Sequence, residues 1–384
     1  MQASNTCPPI TGHSGTIFVA IELSQKSWLV TLWSPDRDRI SRQKLPAGDH
    51  GGLVELIRRT QARAERALGW VPAVVSCYEA GYDGFWLHRL LTAAGIENFV
   101  FDPASIAIDQ RARRAKSDRI DGELLLRTLM AYRRGEPRVV RVVQVPAVEA
   151  EDIRRTSRER RRLVKERVAH INRIKGLLRL IGLPAGQPRR ADWISWLEQQ
   201  RDWAGQPVPP HLMAELKREH ARLLLLNEQL EALVKAAVPA DQPIAATIVQ
   251  RRNLLCRLRG IGPAIAGTLA QEVFYKEFRN RREVGSYVGL CPSPWRSGGI
   301  AREQGISKAG NPRARTTSVE LAWLWVLHQP DSALSQEFQQ RTANASKRIK
   351  RIAIIALARK LIVALWRYVT TGLVPEKAVL KQAA

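Results

Sequence analysis

The chain has 384 residues, with 61 Lys and Arg against 36 Asp and Glu, a formal charge of +25 and a pI near 10.8. That length supports two or three domains with cores of their own. Such a charge makes the compact state repel itself, and the cations cluster, which argues against an indifferent basic surface. It points to a polyanionic partner, nucleic acid first and an anionic membrane surface second.

In chain order, Ile17–Ile21 is a buried-strand signal, Trp28–Trp33 follows a polar turn, and Arg39–Leu45 alternates polar and apolar. Three strands with short connections predict an antiparallel meander. Leu53, Leu56, Ile57, Ala62 and Ala67 recur at helical spacing, and Ala73–Tyr78 is a fourth strand. Phe85–Ala94 is a helix ended by Gly95, and Asn98–Phe101 is a fifth strand. The order βββαβαβα is that of the ribonuclease H-like fold, a mixed sheet with helices on its faces.

Pro146 closes this region. A long helix is predicted over Ile153–Ile181, with Val164, Val168, Ile171, Ile174, Leu178 and Ile181 as its apolar stripe. Its remaining faces are almost all Arg and Lys. Arg154, Arg155, Arg158, Arg161, Arg162 and Lys165 are candidate nucleic-acid contacts, because unpartnered like charges at helical spacing destabilise a helix unless an anion neutralises them. A connector holds Trp193, Trp196 and Trp203, for which packing is favoured over base stacking. A second helix over Pro210–Val234 carries Leu216, Leu223, Leu226, Leu230 and Leu233 at heptad spacing. The two helices are expected to form an antiparallel hairpin, and the stripe could equally pair with another protomer. From about Leu254 the chain reads as helical with Gly/Pro turns. Leu258–Pro263 resembles a helix-hairpin-helix turn, which offers backbone N–H groups to phosphate. The expected domains are 1–146, 147–245 and 246–384.

The four cysteines lie far apart and the seven histidines show no His-x-x-x-His spacing, so neither a zinc ribbon nor a disulfide framework is expected. The first fifteen residues lack both a basic start and an apolar run. Ile349–Val369 is apolar but holds Lys350, Arg351, Arg359, Lys360 and Arg367, an amphipathic helix and not a membrane span. A cytoplasmic protein without membrane association is expected, nucleoid-associated when bound to DNA.

Glu22 and Glu79 fall at the ends of the first and fourth strands, which are neighbours in a ribonuclease H-like sheet. Asp118 and Asp121 are spaced i, i+3 on one face of a starting helix. Each alone reads as an ordinary strand-end or helix-start acid. Four converging oxygen donors repel one another unless a divalent cation neutralises them, and such a site suits phosphoryl transfer. Ser297 lies in Pro292-Ser-Pro-Trp-Arg-Ser-Gly-Gly299, where glycines admit a phosphate and Arg296 could steady its charge; Ser293 is locally an equal candidate. Lys308 and Arg313 belong to a turn-rich basic segment suited to phosphate contacts.

These blocks resemble the DEDD transposases of the insertion sequence 110 family, described as bridge-RNA-guided recombinases. The resemblance rests on Lys116-Ser-Asp-Arg-Ile-Asp121, Glu79-Ala-Gly-Tyr82, Gly260-Ile-Gly-Pro263, Gly289-Leu-Cys-Pro292, Ser297-Gly298 and Ile306-Ser-Lys-Ala-Gly-Asn311 in this order. It implies a RuvC-like domain with Mg²⁺ (Mn²⁺ as the alternative ion) on Glu22, Glu79, Asp118 and Asp121, and a helical transposase domain. It also implies attack by Ser297 on a DNA phosphate through a phosphoserine, a structured guide RNA pairing with donor and target DNA, and a homo-oligomer, dimer to tetramer. The chain departs from the family at Glu22, where Asp is usual, which carries the carboxylate about 1.5 Å further out. Two other readings fit the same residues: a structure-selective endonuclease that uses metal-activated water, and an inactive nucleic-acid-binding relic.

Overall fold

The computed structural model describes residues 15–106, 118–235, 243–297 and 300–381, and omits the side chains of 118–120, 234–235, 243–244, 296–297 and 300–303. The chain divides into two compact units, Met1–Pro146 and Ala147–Ala384.

The first unit runs β1 (Thr16–Glu22), β2 (Ser27–Ser34), β3 (Arg39–Pro46), α1 (His50–Leu68), β4 (Ala73–Glu79), α2 (Trp86–Ala93), β5 (Glu97–Phe101) and α3 (Asp118–Arg133). Its five-stranded mixed sheet has the order β3-β2-β1-β4-β5. β1, β2 and β3 pair antiparallel, while β1–β4 and β4–β5 are parallel. The pleat sends alternate side chains to opposite faces. Ile17, Val19 and Ile21 of β1 join Leu53, Ile57, Leu87 and Leu91 of α1 and α2 in one core. Phe18 and Ala20 join Val75, Cys77 and Phe101 with Leu125, Leu126 and Leu129 of α3 in the other. On α1 the buried stripe continues through Thr60 and Ala64, not the expected Ala62 and Ala67, which are exposed. Asp49 starts that helix, its carboxylate accepting from Gly52 N at 2.9 Å.

The second unit opens with α4 (Val148–Arg179), α5 (Trp193–Glu198) and α6 (Pro210–Lys235). Ile174 and Leu178 share a core with Leu216 and Leu223, whereas Leu163 meets Leu226 and Leu230. That order makes α4 and α6 an antiparallel pair within one chain. Val168, expected in the stripe, is 45 % exposed, and Leu163 takes a buried position instead. Trp193 is buried and donates to Ala185 O at 2.8 Å, and Trp196 packs on Gly186. Trp203, also expected to pack, is 86 % exposed.

The rest comprises α7 (Pro243–Arg257), α8 (Pro263–Glu272), α9 (Arg281–Tyr287), β6 (Pro292–Ser297), β7 (Ile300–Ile306), α10 (Pro312–His328), α11 (Ala333–Thr342) and α12 (Lys347–Thr371). One apolar core joins α7, α8, α10 and α12. The antiparallel β6–β7 hairpin corrects the expectation of helices and turns alone. Pro292 and Pro294 read as loop punctuation in sequence, yet each strand of a two-stranded ribbon has an open edge that tolerates proline. At the α7–α8 turn Arg259 N donates to Val379 O, while Arg259 O accepts from Gln329 Nε2 and Ile261 O from Lys381 Nζ, which ties the turn to the C-terminal segment. Among the described residues no helix is long and apolar enough to cross a membrane.

Candidate functional site

The sheet positions two of the four acids. Parallel pairing of β1 with β4 ends at Ile21↔Tyr78, one residue before Glu22 and Glu79. Both strands therefore deliver a glutamate at the same sheet edge. By alternation Glu22 shares the face of Phe18 and Ala20, and Glu79 that of Val75 and Cys77, which is the face α3 covers. Electrostatics agrees: the Cys77 thiol is pushed well above its ordinary value, chiefly by complete burial and further by the charge of Glu79. Glu79 is exposed, while Glu22 is half-buried with Oε2 out of reach of solvent.

The N-terminus of α3 approaches the same face. Leu125 and Leu129, four and eight residues beyond Asp121, are buried against the sheet, so helical periodicity turns Asp121 toward it. Asp121 is half-buried; the side chain of Asp118, one turn earlier, lies outside the described residues. Close approach depends on Gly122. A Cβ there would stand 2.6 Å from Thr31 Oγ1 and 3.5 Å from Leu29 Cδ2, both on β2. Glu123 adds an ion pair to Arg42 of β3. Gly122 was not singled out from sequence, since nothing local distinguishes it from a glycine that merely weakens a helix. Among the described residues no group of three or more His, Cys, Asp or Glu side chains comes together to hold a metal ion. The donor chemistry nonetheless suits a hard divalent cation, with carboxylate oxygens on one face and one of them sheltered from water.

The second unit contains the serine segment. Ser297 ends β6 and pairs with Ile300 at the start of β7, with Gly298 and Gly299, outside the described residues, between them in sequence. The side chains of Ser297 and Arg296 are also outside the described set. Ser293, the alternative, is half-buried near the hairpin base. That base is held tightly. Ser307 N donates to Cys291 O at 2.8 Å and Asn311 N to Tyr287 O at 2.8 Å. Gly289 and Gly310 have φ of +69° and +83°, and a Cβ on either would fall 2.0 Å from Ala309 O and 2.2 Å from Tyr287 O respectively. Only glycine satisfies both the left-handed backbone and the contact.

The basic residues of α4 divide. Arg155, Arg161, Arg162 and Lys165 are exposed. Arg154 and Arg158, grouped with them in the sequence, are turned into protein. Arg154 is 6 % exposed and stacks 3.8 Å over the Tyr275 ring. Arg158 grips the buried Glu272 of α8 with Nε to Oε1 at 2.8 Å and Nη2 to Oε2 at 3.1 Å. Asn311, the N-cap of α10, donates to Glu272 Oε2 at 2.9 Å. Burial alone would raise the Glu272 carboxyl, but Arg158 and Asn311 more than reverse this and hold it below the ordinary glutamate value. Arg313 is exposed yet partly desolvated, and Arg158 and Arg161 lie close enough to depress its pKa further. Lys308 is exposed, in a left-handed conformation with φ of 54°. Glu272 was not identified from sequence, although a charged residue in the apolar run Ala264–Phe274 was the available signal.

Comparison with known proteins adds a further finding. The family model described as Transposase IS116/IS110/IS902 family matches residues 252–338. A second model, for DEDD transposases of IS110 elements, matches residues 19–182. The chain is 48 % identical over 380 residues to y4rJ of Sinorhizobium fredii, which carries a transposase name, covering 96 % of this chain and 95 % of that protein. It is 30 % identical over 313 residues to y4qE of the same organism, covering 80 % and 71 %. It is 28 % identical over 225 residues to the transposase for insertion sequence element IS1328 of Yersinia enterocolitica, covering 57 % and 63 %.

Proposed function

The chain belongs to the IS116/IS110/IS902 transposase family, and on that premise we propose that it cuts and rejoins DNA strands through the sheet-edge carboxylates and the hydroxyl of Ser297. The observation that supports this most is the delivery of Glu22 and Glu79 by neighbouring parallel strands to the face covered by α3, whose first turn contains Asp118 and Asp121. In this reading residues 1–146 form a RuvC-like catalytic domain, 147–245 a helical hairpin, and 246–384 the transposase domain that supplies the nucleophile.

Glu22, Glu79, Asp118 and Asp121 hold Mg²⁺, for which Mn²⁺ can substitute. When bound, such an ion offsets phosphate charge and favours an ionised oxygen nucleophile. A serine hydroxyl is weakly nucleophilic at neutral pH, and no histidine stands beside Ser297 in the sequence. Its activation therefore depends on the carboxylate site. In the first step the Ser297 oxygen bonds to phosphorus, the serine proton leaves, and the bridging P–O bond to the departing strand breaks, releasing a strand hydroxyl. A hydroxyl of the exchanged strand then attacks the phosphoserine and returns the serine oxygen. Arg155, Arg161, Arg162, Lys165, Arg296, Lys308 and Arg313 contact phosphates of donor and target DNA or of a structured guide RNA. The working species is a homo-oligomer, dimer to tetramer, in the cytoplasm and on the nucleoid when bound.

The test is a trapping assay. The protein is incubated with DNA carrying the element's ends, RNA transcribed from the element, and Mg²⁺, then denatured and examined for protein joined covalently to DNA. The wild type and Ser293→Ala should form the adduct. Ser297→Ala and Asp118→Asn should not. A Ser297→Ala protein that exchanges strands at the wild-type rate would overturn the serine reading and leave a nuclease using metal-activated water.

A further inference from the structure

Glu272 is 1 % exposed, and its carboxylate sits where three segments of the second unit meet. It receives two hydrogen bonds from Arg158 of α4 and one from Asn311. Asn311 has every polar group engaged. Its Oδ1 accepts from Arg313 N at 3.0 Å and Ala314 N at 3.1 Å, capping α10, while its backbone N–H is spent on Tyr287 O. From Tyr287 the tie continues without slack. Gly310 lies against Tyr287 O, Gly289 against Ala309 O, and Ser307 N closes on Cys291 O, next to the first residue of β6. A continuous path therefore leads from the first third of the basic helix, through one buried carboxylate, to the base of the hairpin whose first strand ends at Ser297. On the helix, Arg155, Arg161 and Arg162 flank Arg158 and face solvent.

Stability alone is a poor reason for this arrangement. Burying the Glu272 carboxylate carries a desolvation cost that its pairing with the half-exposed Arg158 largely offsets, and apolar residues of similar volume often do as well or better in such a place. What an ion pair with a bidentate fork does supply is a fixed distance and orientation. Reacting groups need that accuracy, since a misplacement of about 1 Å can cost on the order of a hundredfold in rate.

We propose that Glu272 is a positioning residue for strand transfer: it fixes the β6–β7 hairpin to α4, so that nucleic acid lying on the helix's exposed face meets the Ser297 segment in register. This rests on the reading of Ser297 as the nucleophile. Glu272 touches neither DNA nor the reacting atoms and acts through Asn311 and Arg158.

The test measures strand transfer by the full-length protein on DNA carrying the element's ends, with RNA transcribed from the element, at a temperature where circular dichroism shows every variant folded. Glu272→Gln should keep half-maximal DNA concentration within about twofold while the rate at saturating DNA falls about tenfold or more. A second variant, Arg158→Met with Glu272→Met, replaces the pair by apolar side chains of similar length. It should fold as stably as the wild type or more so and remain slow at saturating DNA. A double variant that regains the wild-type rate, or a Glu272→Gln protein that never loses it, overturns the proposal. Ser297→Ala is run in parallel. If it transfers strands normally, the nucleophile reading fails; if it is dead while Glu272→Gln runs at full rate, only the positioning role fails.

Discussion

Gly122→Ala isolates the geometric requirement of the carboxylate site. The added methyl would stand 2.6 Å from Thr31 Oγ1, inside the 3.4 Å at which ordinary contact begins. Thr31 is fully buried on β2, so recovering normal spacing should displace the first turn of α3 by roughly 1 Å. Two stability terms oppose each other. Overpacking costs about 1–3 kcal/mol, and replacing a helical glycine by alanine returns about 1 kcal/mol. The net loss is then about 0–2 kcal/mol, and the protein should fold. Function has no such compensation. In the proposed reading Asp121 and Asp118 are metal ligands, which tolerate displacements of about 0.2 Å, so a shift of roughly 1 Å should slow strand cleavage about a hundredfold. The assay is the cleavage rate at saturating DNA and Mg²⁺, paired with a thermal melt. Thr31→Ala removes the obstructing oxygen and should restore most of the rate when combined with Gly122→Ala. Full activity in the single variant, or a folded double variant that stays inactive, would refute the account of how α3 delivers its acids.

The other predictions address the second unit. Neutralising Arg155, Arg161, Arg162 and Lys165 should weaken nucleic-acid binding across sequences and reduce the slope of log K against log salt by about three to four, read in a salt titration; an unchanged slope assigns this face to something else. Glu219, buried between α4 and α6, accepts from His170 Nδ1 at 2.6 Å, Arg173 Nη1 at 3.0 Å and Arg222 Nη1 at 2.6 Å. Glu219→Ala should destabilise the unit by about 2–4 kcal/mol in denaturant titration, below the most costly buried cases because both arginines stay within reach of water. Burial would raise the carboxyls of Glu219 and Glu272, but hydrogen bonds from His170 and Arg173 to the first, and from Arg158 and Asn311 to the second, hold both below the ordinary value. Their contribution is therefore fully present above the unfolded value of about 4.3 and is lost as pH falls through the folded values. The melting temperature should drop steeply below that pH, and Glu219→Gln combined with Glu272→Gln should flatten the drop.

The sheet and its acids were legible for a simple reason. Ile17–Ile21 is a continuous apolar run and Val74–Tyr78 is broken only by Ser76, and each stops at its first charged residue, Glu22 or Glu79. A strand buried on both faces has to end where a carboxylate reaches the edge. Finer periodicity was less secure. Thr60 is buried because its hydroxyl is spent on Leu56 O at 2.8 Å, which hydropathy does not reveal. Leu163 displaces Val168 from the α4 stripe because packing against a partner helix follows a narrow seam. Trp203 sits in a turn held by Asp202, away from the Trp193 core. The β6–β7 hairpin was illegible because Pro292, Pro294, Gly298, Gly299 and Gly305 punctuate it, and such residues report only that no helix forms.

The basic helix shows why a charge tally overstates a binding surface. Arg154, Arg158 and Arg161 are identical in sequence terms, and their four- and three-residue steps set them one above another along a single face of the helix. Which of them meets solvent depends on what packs there. α8 presents Glu272 and the following Tyr275 to α4, and these two groups absorb Arg158 and Arg154. A buried carboxylate needs a cation or hydrogen-bond donors, and the half-buried Arg158 supplies both to an acid inside an apolar segment far along the chain. Glu272 is that acid, 114 residues away. Arg155 and Arg162 stay outward and meet only exposed acids of their own helix, Asp152, Glu159 and Glu166, so the charge offered to a polyanion is theirs and not the total on α4.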